Sequence, residues 1–358
     1  MSQGLKRIHH VEFVVGNAKQ ASYFYRQGFG FDQVAYRGPE TGSPDRASYM
    51  LKQNDIILIL TSPLRHDDPL TTWLTLHGDG VRDVALEVDD LEAVYGHAVE
   101  AGARSYQAPG ELADDTGKVL TAGIHAYGEV LHTFVQKDGY EGVLPGFVPA
   151  EIKGRPTGLA YIDHVVGNLP DRQMDRWVEW YDKVLGLSKF VSYDDKDIST
   201  EYTALRSTVV ASADRVIKFP LNEPAKGKKK SQIQEYIDSN LTAGVQHLAL
   251  RSENILETIA ALRQNGVDFL PVPEGYYDNV WDRVGVVKED KDAVKDLRIL
   301  VDKDDKGYLL QLFTRPLQDR PTFFIEIIQR AGSDSFGKGN FRALFETIEQ
   351  EQRQRGNL

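Results

Sequence analysis

The chain has no cysteine among its 358 residues, and only 3 methionines and 4 tryptophans. The absence of cysteine excludes disulfides, thiolate nucleophiles, zinc ribbons and iron–sulfur clusters together. Any metal must therefore be held by histidine, carboxylate, carbonyl or water. Positive charge is short as well: Lys and Arg number 42 against 53 Asp and Glu, a net charge of -11. Counterion release on a nucleic acid needs a basic face, so that class of partner is not expected. Long apolar runs are missing too; Ile56–Leu60 is far short of the ~20 residues of a membrane span. Met1–Arg7 carries basic residues with no apolar stretch behind them, and the protein is expected to be soluble and cytoplasmic.

What is present is an ordinary globular composition, 41% hydrophobic and 27% charged, over a length that suits two domains. The chain also repeats itself. Ile8–Asn17 and Tyr161–Asn168 are both β-like apolar runs ending in Gly-Asn and followed by a helical pattern. In the second helix Met174, Trp177, Val178, Tyr181, Val184 and Leu185 form one stripe; Ala21, Phe24, Tyr25 and Gly28 take the matching places in the first. A second pair is clearer, Gly80–Val88 against Gly244–Ser252. Each leads into a helix and then into Gly102 or Gly266, set where a helix end takes a left-handed residue.

Strand-like runs follow at Asp55–Thr61, Val130–Gln136, Val216–Pro220, Tyr308–Phe313 and Thr322–Gln329. Each unit reads β-α-β-β-β, which departs from the strict alternation of a doubly wound sheet. The expected class is α+β, with tandem βαβββ modules in two barrel-like domains, 1–150 and 157–358, and a boundary in the Pro- and Gly-punctuated stretch Gly142–Pro156. Past Ala331 a Gly-rich segment reads as a flexible hinge before a terminal amphipathic helix carrying Phe341, Leu344, Phe345 and Ile348, which belongs to no repeat.

The 9 histidines include only His164 and His247 in the second half, at equivalent ends of two repeat units. Period 2 places Phe324, Glu326 and Ile328 on one face of the Thr322–Gln329 run. An ionised carboxylate among apolar neighbours costs several kcal/mol unless paired or metal-bound. Two histidines and one carboxylate from separate strands, with open positions left, make the facial triad of non-haem Fe(II) oxygenases. Aligning the halves puts Asp83 opposite His247, Thr133 opposite Glu326, and His10 or Phe13 opposite His164, so one metal per chain is expected, in the second half. Taken singly, each residue has a plainer reading: a satisfied core histidine, or a carboxylate paired with a base.

Other signals carry less. Asp302–Gly307 starts like a calcium loop but has Lys306 at its fifth position and Phe313 where a bidentate acid belongs, so it reads as a polar hairpin. Lys226–Lys230 lacks interleaved aromatics and reads as a solvated loop. Gly337–Gly339 lacks the rest of a phosphate-binding loop. His9 and His10 have no carboxylate in register and are placed at a strand edge.

The stretches Ile162–Asn168, Phe219–Pro224, Lys230–Gln234, Gly244–Leu250, Leu309–Thr314, Asp319–Gln329 and Phe336–Phe341 occur together, in order, over essentially the whole chain. In them the sequence resembles the 4-hydroxyphenylpyruvate dioxygenases of the vicinal oxygen chelate superfamily. The resemblance implies Fe(II) on His164, His247 and Glu326, with 4-hydroxyphenylpyruvate and dioxygen as substrates. It further implies oxidative decarboxylation, ring hydroxylation and side-chain migration to homogentisate, in tyrosine and phenylalanine catabolism. Phe313, Phe324 and Phe341 are implied as an aromatic box around the substrate ring. Ser207, Asn222, Gln232, Gln246 and Gln311 are implied as the polar network, and Pro220 as a pocket residue. Gln311 shares a face with Phe313 by period 2, whereas Gln246 adjoins His247 and points to the opposite face unless the strand twists or bulges. Gly337 and Gly339 would let the last helix swing, with Phe336 and Asn340 as a gate, against the plainer reading that the helix merely packs on the barrel. A homodimer or homotetramer is implied as well.

Three competing readings remain. A 4-hydroxymandelate synthase is similar in substrate and ligands but hydroxylates the benzylic carbon; Pro220 and Asn222 match the dioxygenase pattern. An extradiol dioxygenase needs a further acid–base His or Tyr at the metal. A non-catalytic small-molecule binding protein on the same modules predicts a broken triad.

Overall fold

Strand, helix and three strands recur four times in the structure, a computed structural model that describes residues 4–196 and 198–357. The first unit is β1 (Leu5–Val14), α1 (Ala18–Phe29), β2 (Asp32–Arg37), β3 (Arg46–Gln53) and β4 (Ile56–Pro63). A connecting helix, α2 (Pro69–His77), leads to β5 (Gly80–Val88), α3 (Leu91–Glu100), β6 (Ser105–Asp114), β7 (Gly117–His125) and β8 (Leu131–Lys137), and β9 (Val148–Ile152) follows. The second half opens with β10 (Leu159–Asn168), α4 (Met174–Leu185), β11 (Ser188–Tyr193), β12 (Ala204–Ala211) and β13 (Lys218–Ala225). After α5 (Gln232–Asn240) come β14 (Gly244–Ser252) and α6 (Ile255–Gln264), then an insertion holding α7 (Val280–Val284) and α8 (Lys291–Asp296). Its last strands are β15 (Leu300–Lys303), β16 (Tyr308–Phe313) and β17 (Phe324–Ala331), before the terminal helix α9 (Phe341–Gln354).

The helices begin and end where their capping chemistry dictates. The side chains of Asn17, Asp90 and Asn254 accept backbone N–H groups at the starts of α1, α3 and α6, satisfying donors that have no partner inside the helix. Gly102 and Gly266 have φ of +101° and +87°, the left-handed turn that ends α3 and α6.

The strands form two sheets, nine-stranded in the order β6-β7-β8-β5-β1-β4-β3-β2-β9 and eight-stranded in the order β11-β12-β13-β10-β14-β17-β16-β15. Within each module the first and last strands lie parallel and adjacent, and the two modules of a half meet through an antiparallel pair of first strands, β1/β5 or β10/β14. The α+β fold of tandem βαβββ modules with an added C-terminal helix is thus present. β9 was not foreseen: it falls inside the stretch expected as the boundary and pairs with β2 at the sheet edge, where Pro149 costs no internal ladder bond. β1 lies between β5 and β4, so His9 and His10, expected at a strand edge, are both buried in the sheet interior.

Matched pairings make the repeat exact in register. His10 sits opposite Ala85 as His164 sits opposite Ala249, and Glu12 opposite Asp83 as Val166 opposite His247. Leu86 pairs with Phe134 as Leu250 pairs with Ile327. His10, Asp83 and Thr133 are therefore the first-half counterparts of His164, His247 and Glu326.

Asp83 is buried, and its carboxylate accepts the Thr133 backbone N–H at 3.0 Å. Burial, more than that bond can offset, lifts its carboxyl to about 6. A folded-state value above the unfolded one means that the folded chain binds the extra proton; stability is fully retained below about pH 4 and declines as pH rises through about 6. Asp83→Asn should gain stability relative to the wild type, by on the order of 2 kcal/mol, between pH 4 and pH 7. Urea midpoints of the two proteins across that range test this; a difference independent of pH would refute it.

Candidate metal centre and substrate cavity

His164, His247 and Glu326 come from β10, β14 and β17, three neighbouring strands of the second sheet. His164 pairs with Ala249, and Ala249 with Glu326, so these three make one row across the strands; His247 lies two residues before Ala249 on the same face. The small Ala249 side chain leaves the space above it to its larger neighbours. The Glu326 Oε2 atom lies 3.2 Å from His164 Nε2 and 3.4 Å from His247 Nε2. One ligand atom from each residue falls within 4.8 Å of the others, and all three residues are buried.

The other imidazole nitrogens are engaged. His164 Nδ1 lies 2.8 Å from Asp163 Oδ1, and His247 Nδ1 lies 3.0 Å from Gln246 Oε1. A carboxylate or amide oxygen accepts from an N–H, so each Nδ1 carries a proton and each Nε2 is the nitrogen turned towards Glu326 and free to exchange its proton for a metal. Adjacent residues on a strand normally face opposite ways, but the β10/β14 ladder is irregular at both places. It slips between Ile162 and His164, leaving Asp163 as the extra residue, and again at Val166/Gly167, leaving Gln246 as the extra residue. These bulges turn each preceding side chain back beside its histidine.

The electrostatics agree with a cation site. Burial raises the Glu326 carboxyl, yet the two imidazoles outweigh it and draw the group down to about 2. Burial also opposes charge on His164, but Glu326 and Asp163 together hold it above the ordinary histidine range, while burial prevails at His247 and lowers it. Three potential ligands that share one carboxylate oxygen, with both ring N–H groups committed elsewhere, fit a divalent ion with open positions.

Above this triad lies a cavity with about 610 Å³ of empty space, partly open to solvent. Alternate residues of five strands line it: Leu205, Ser207 and Val209; Pro220 and Asn222; His164 and Val166; Phe324 and Glu326; Gln311 and Phe313. Gln246 joins His247 there because of its bulge, the exception under which a neighbour of His247 can face the cavity. Gln232 enters from the start of α5, and Phe336, Phe341, Leu344, Phe345 and Ile348 close the top. The Phe324 ring stacks on His247 at 4.7 Å between centroids, and the Phe336 ring meets His164 edge-on at 5.1 Å. Gln311 Oε1 is buried with no hydrogen-bond partner, a polar group in want of a ligand.

Asn340 is the one expected cavity residue that the fold places elsewhere. It is buried outside the cavity lining, where its Oδ1 accepts from Tyr276 Oη at 2.7 Å and from Arg283 Nη2 at 3.2 Å. It anchors the entry to α9 and has no side-chain contact with the cavity. Gly337, in the Gly-rich segment before α9, has φ +77°, and a Cβ there would stand 2.1 Å from Gln311 Oε1. Residues that sequence reasoning missed include Val166, Leu205 and Val209, findable by period 2 from His164 and Ser207. Tyr193 was missed too; it lines the cavity with its ring edge-on to Phe341 at 5.4 Å.

Comparison with known proteins agrees with this geometry. The profile described as "Glyoxalase/Bleomycin resistance protein/Dioxygenase superfamily" matches residues 7–122 and 161–312. A 4-hydroxyphenylpyruvate dioxygenase of Dictyostelium discoideum is 48% identical over 99% of this chain and 100% of its own length. One of Caenorhabditis elegans is 50% identical over 98% of this chain and 92% of its own. Among solved structures, a mutant 4-hydroxymandelate synthase from Streptomyces coelicolor superimposes with a TM-score of 0.88 at 30% identity, covering 98% of this chain and 99% of that one. With relatives of that identity along nearly its entire length, the chain belongs to the 4-hydroxyphenylpyruvate dioxygenase family of the glyoxalase/bleomycin resistance protein/dioxygenase superfamily.

Proposed function

We propose that this protein is an Fe(II)-dependent dioxygenase that turns 4-hydroxyphenylpyruvate and dioxygen into homogentisate and carbon dioxide in the cytoplasm, as a homodimer or homotetramer. The observation that carries the reading is the buried His164–His247–Glu326 cluster, each histidine aimed by a partner on its far nitrogen, at the base of an aromatic-walled cavity. Bound there, Fe(II) would hold the keto acid and dioxygen together and supply redox chemistry that no side chain possesses.

The chain's own residues provide aim and dryness. Phe313, Phe324 and Phe341 offer flat apolar surfaces that restrain a planar ring without presenting a reactive atom. Ser207, Asn222, Gln232 and Gln311 distribute uncharged hydrogen-bonding groups around that ring, and such groups hold a phenol or a keto acid without exchanging protons with it. Pro220 sits beside Asn222 on the same wall of the cavity, and Gln246 orients His247. Phe336 covers His164, and with the apolar face of α9 it keeps water from the reacting atoms. The runner-up product is 4-hydroxymandelate, because a structure of that synthase shares this fold closely. Identities of 48–50% to the dioxygenases against 30% to the synthase favour homogentisate.

Glu326→Gln should lower Fe(II) affinity by more than the roughly 10–100-fold typical of losing a group behind a ligand, and should abolish product. Metal titration, with chromatography and mass analysis of the aromatic product, checks both. Hydroxymandelate from the wild type would move the error to the pocket around Pro220 and Asn222. Substrate binding with no oxygen uptake in the Fe(II)-loaded wild type would leave a binding protein.

Gly337→Ala meets both a left-handed backbone and the Gln311 amide. It should cut kcat/KM at least tenfold while Fe(II) binding is kept, because the added methyl displaces the cover and leaves the triad untouched. Unchanged kcat/KM in a folded, iron-loaded variant would show that this segment merely packs on the sheet.

A further inference from the structure

Behind His164 a chain of polar contacts leads away from the cavity and returns to its cover. Asp163 is 1% exposed. Besides the His164 N–H, its carboxylate takes two parallel bonds from Arg330, Nε to Oδ2 and Nη2 to Oδ1, each 2.9 Å. Lys218 Nζ stands 3.5 Å from Oδ1. The third guanidinium nitrogen, Nη1, donates to the backbone carbonyls of Ser333, at 3.3 Å, and Ser335. The same guanidinium lies 5.2 Å from the centre of the Phe336 ring, and that ring rests on His164. The circuit runs His164, Asp163, Arg330, Ser333 and Ser335, Phe336, and back to His164.

We propose that Arg330 is a positioning residue that couples metal occupancy at His164 to the placement of Phe336 over the cavity. The inference rests on the reading of His164 as a metal ligand. A cation on Nε2 draws electron density through the imidazole and makes its Nδ1–H a stronger donor, which fixes Asp163. A fixed Asp163 fixes the plane of the guanidinium. Because that group is a rigid fork, its remaining nitrogen is then aimed at the Ser333 and Ser335 carbonyls. A lysine at 330 keeps the charge, but its three donors radiate from one nitrogen, which cannot span the Asp163 carboxylate and the Ser333 and Ser335 carbonyls as the three nitrogens of the planar fork do. The segment has other anchors, with Asp304 accepting from Ser333, Asp334 and Ser335, so Arg330→Lys should loosen the coupling without unfolding the turn.

The test is hydrogen exchange of the amides from 333 to 337 in metal-free protein, with and without Co(II) as an oxygen-stable probe, alongside calorimetric Co(II) affinity. In the wild type, Co(II) should slow exchange in this segment at least fivefold, the lower end of ordinary site–site coupling. In Arg330→Lys, Co(II) should still bind, within about tenfold of the wild-type affinity, but exchange should no longer respond to it. Asp163→Asn should weaken Co(II) binding by about 10–100-fold and also abolish the response; it decides the matter if Arg330→Lys fails to fold. Exchange that is indifferent to Co(II) in the wild type, or a response that survives in either variant, overturns the proposal. No Co(II) binding by the wild type would instead overturn the functional reading on which it rests.

Discussion

A histidine and the residue before it on a β-strand face opposite sides of the sheet, and no choice of side chains changes that while the ladder is regular. The site in this protein needs the opposite, because a buried imidazole that offers one nitrogen to a metal must place its other N–H on an acceptor. Two β-bulges resolve the conflict. At Asp163 and Gln246 the β10/β14 ladder carries one residue too many, and each extra residue swings round to accept the N–H of the histidine that follows it. The rest of the site presupposes this arrangement. Glu326 can lie ionised and buried 3.2 and 3.4 Å from two Nε2 atoms only because those atoms have been turned towards it.

The first half keeps the same two slips around different residues. The β1/β5 ladder slips at the same two places, leaving His9 and Arg82 as the extra residues. His9 Nδ1 still reaches the next residue, 2.7 Å from His10 Nδ1, and Arg82 bonds the Glu129 carbonyl instead. His10 persists as the counterpart of His164, but Asp83 and Thr133 take the places of His247 and Glu326, and the Thr133 backbone N–H donates to the Asp83 carboxylate. Arginine cannot accept at all, so one of the two acceptors that aim a ligand histidine is gone along with the ligands. Among the described residues the second-half triad is the group of His, Asp and Glu close enough to hold a metal.

Legibility in the sequence followed the range of the interaction. Local periodicity exposed the βαβββ units, the left-handed Gly102 and Gly266, the inward face carrying Phe324 and Glu326, and the shared face of Gln311 and Phe313. Internal repetition exposed the triad, because His164 and His247 recur at matching ends of two units. The bulges were not legible: a one-residue slip is a property of two paired strands, and Val-Gln-His at 245–247 looks like any alternating run. Asn340 misled for a related reason. It follows the Gly-rich stretch leading to the cavity, but the Tyr276 hydroxyl and Arg283, both brought by the insertion after α6, draw its side chain out of the site. β2, β3, β6, β7, β9, β11, β12 and β15 were not named one by one in the sequence; of these, β6, β9 and β11 close sheet edges and are the most exposed, which weakens the apolar alternation that marks a half-buried strand.

If the first half binds no metal, its persistence needs a physical reason, and the seam between the halves supplies one. His132 of β8 donates from Nδ1 to the Val84 carbonyl and accepts at Nε2 from the Tyr181 hydroxyl of α4, 2.9 Å away, and its ring stacks on Phe219 of β13 at 5.4 Å. Phe219 directly precedes Pro220, which lines the cavity. Gln53 Oε1 accepts the Thr157 and Leu159 backbone N–H groups at 2.9 and 3.2 Å, holding the start of the strand that carries Asp163 and His164. Tyr127 lies so close to Gly167 that a Cβ there would stand 2.5 Å from its hydroxyl. The strands bearing the ligands and the pocket wall are therefore braced from behind by buried groups of the first half. A facial triad must stay in register within a fraction of an ångström while one of its sides is left open for substrate. The rigidity that the open side cannot supply is provided by the first half.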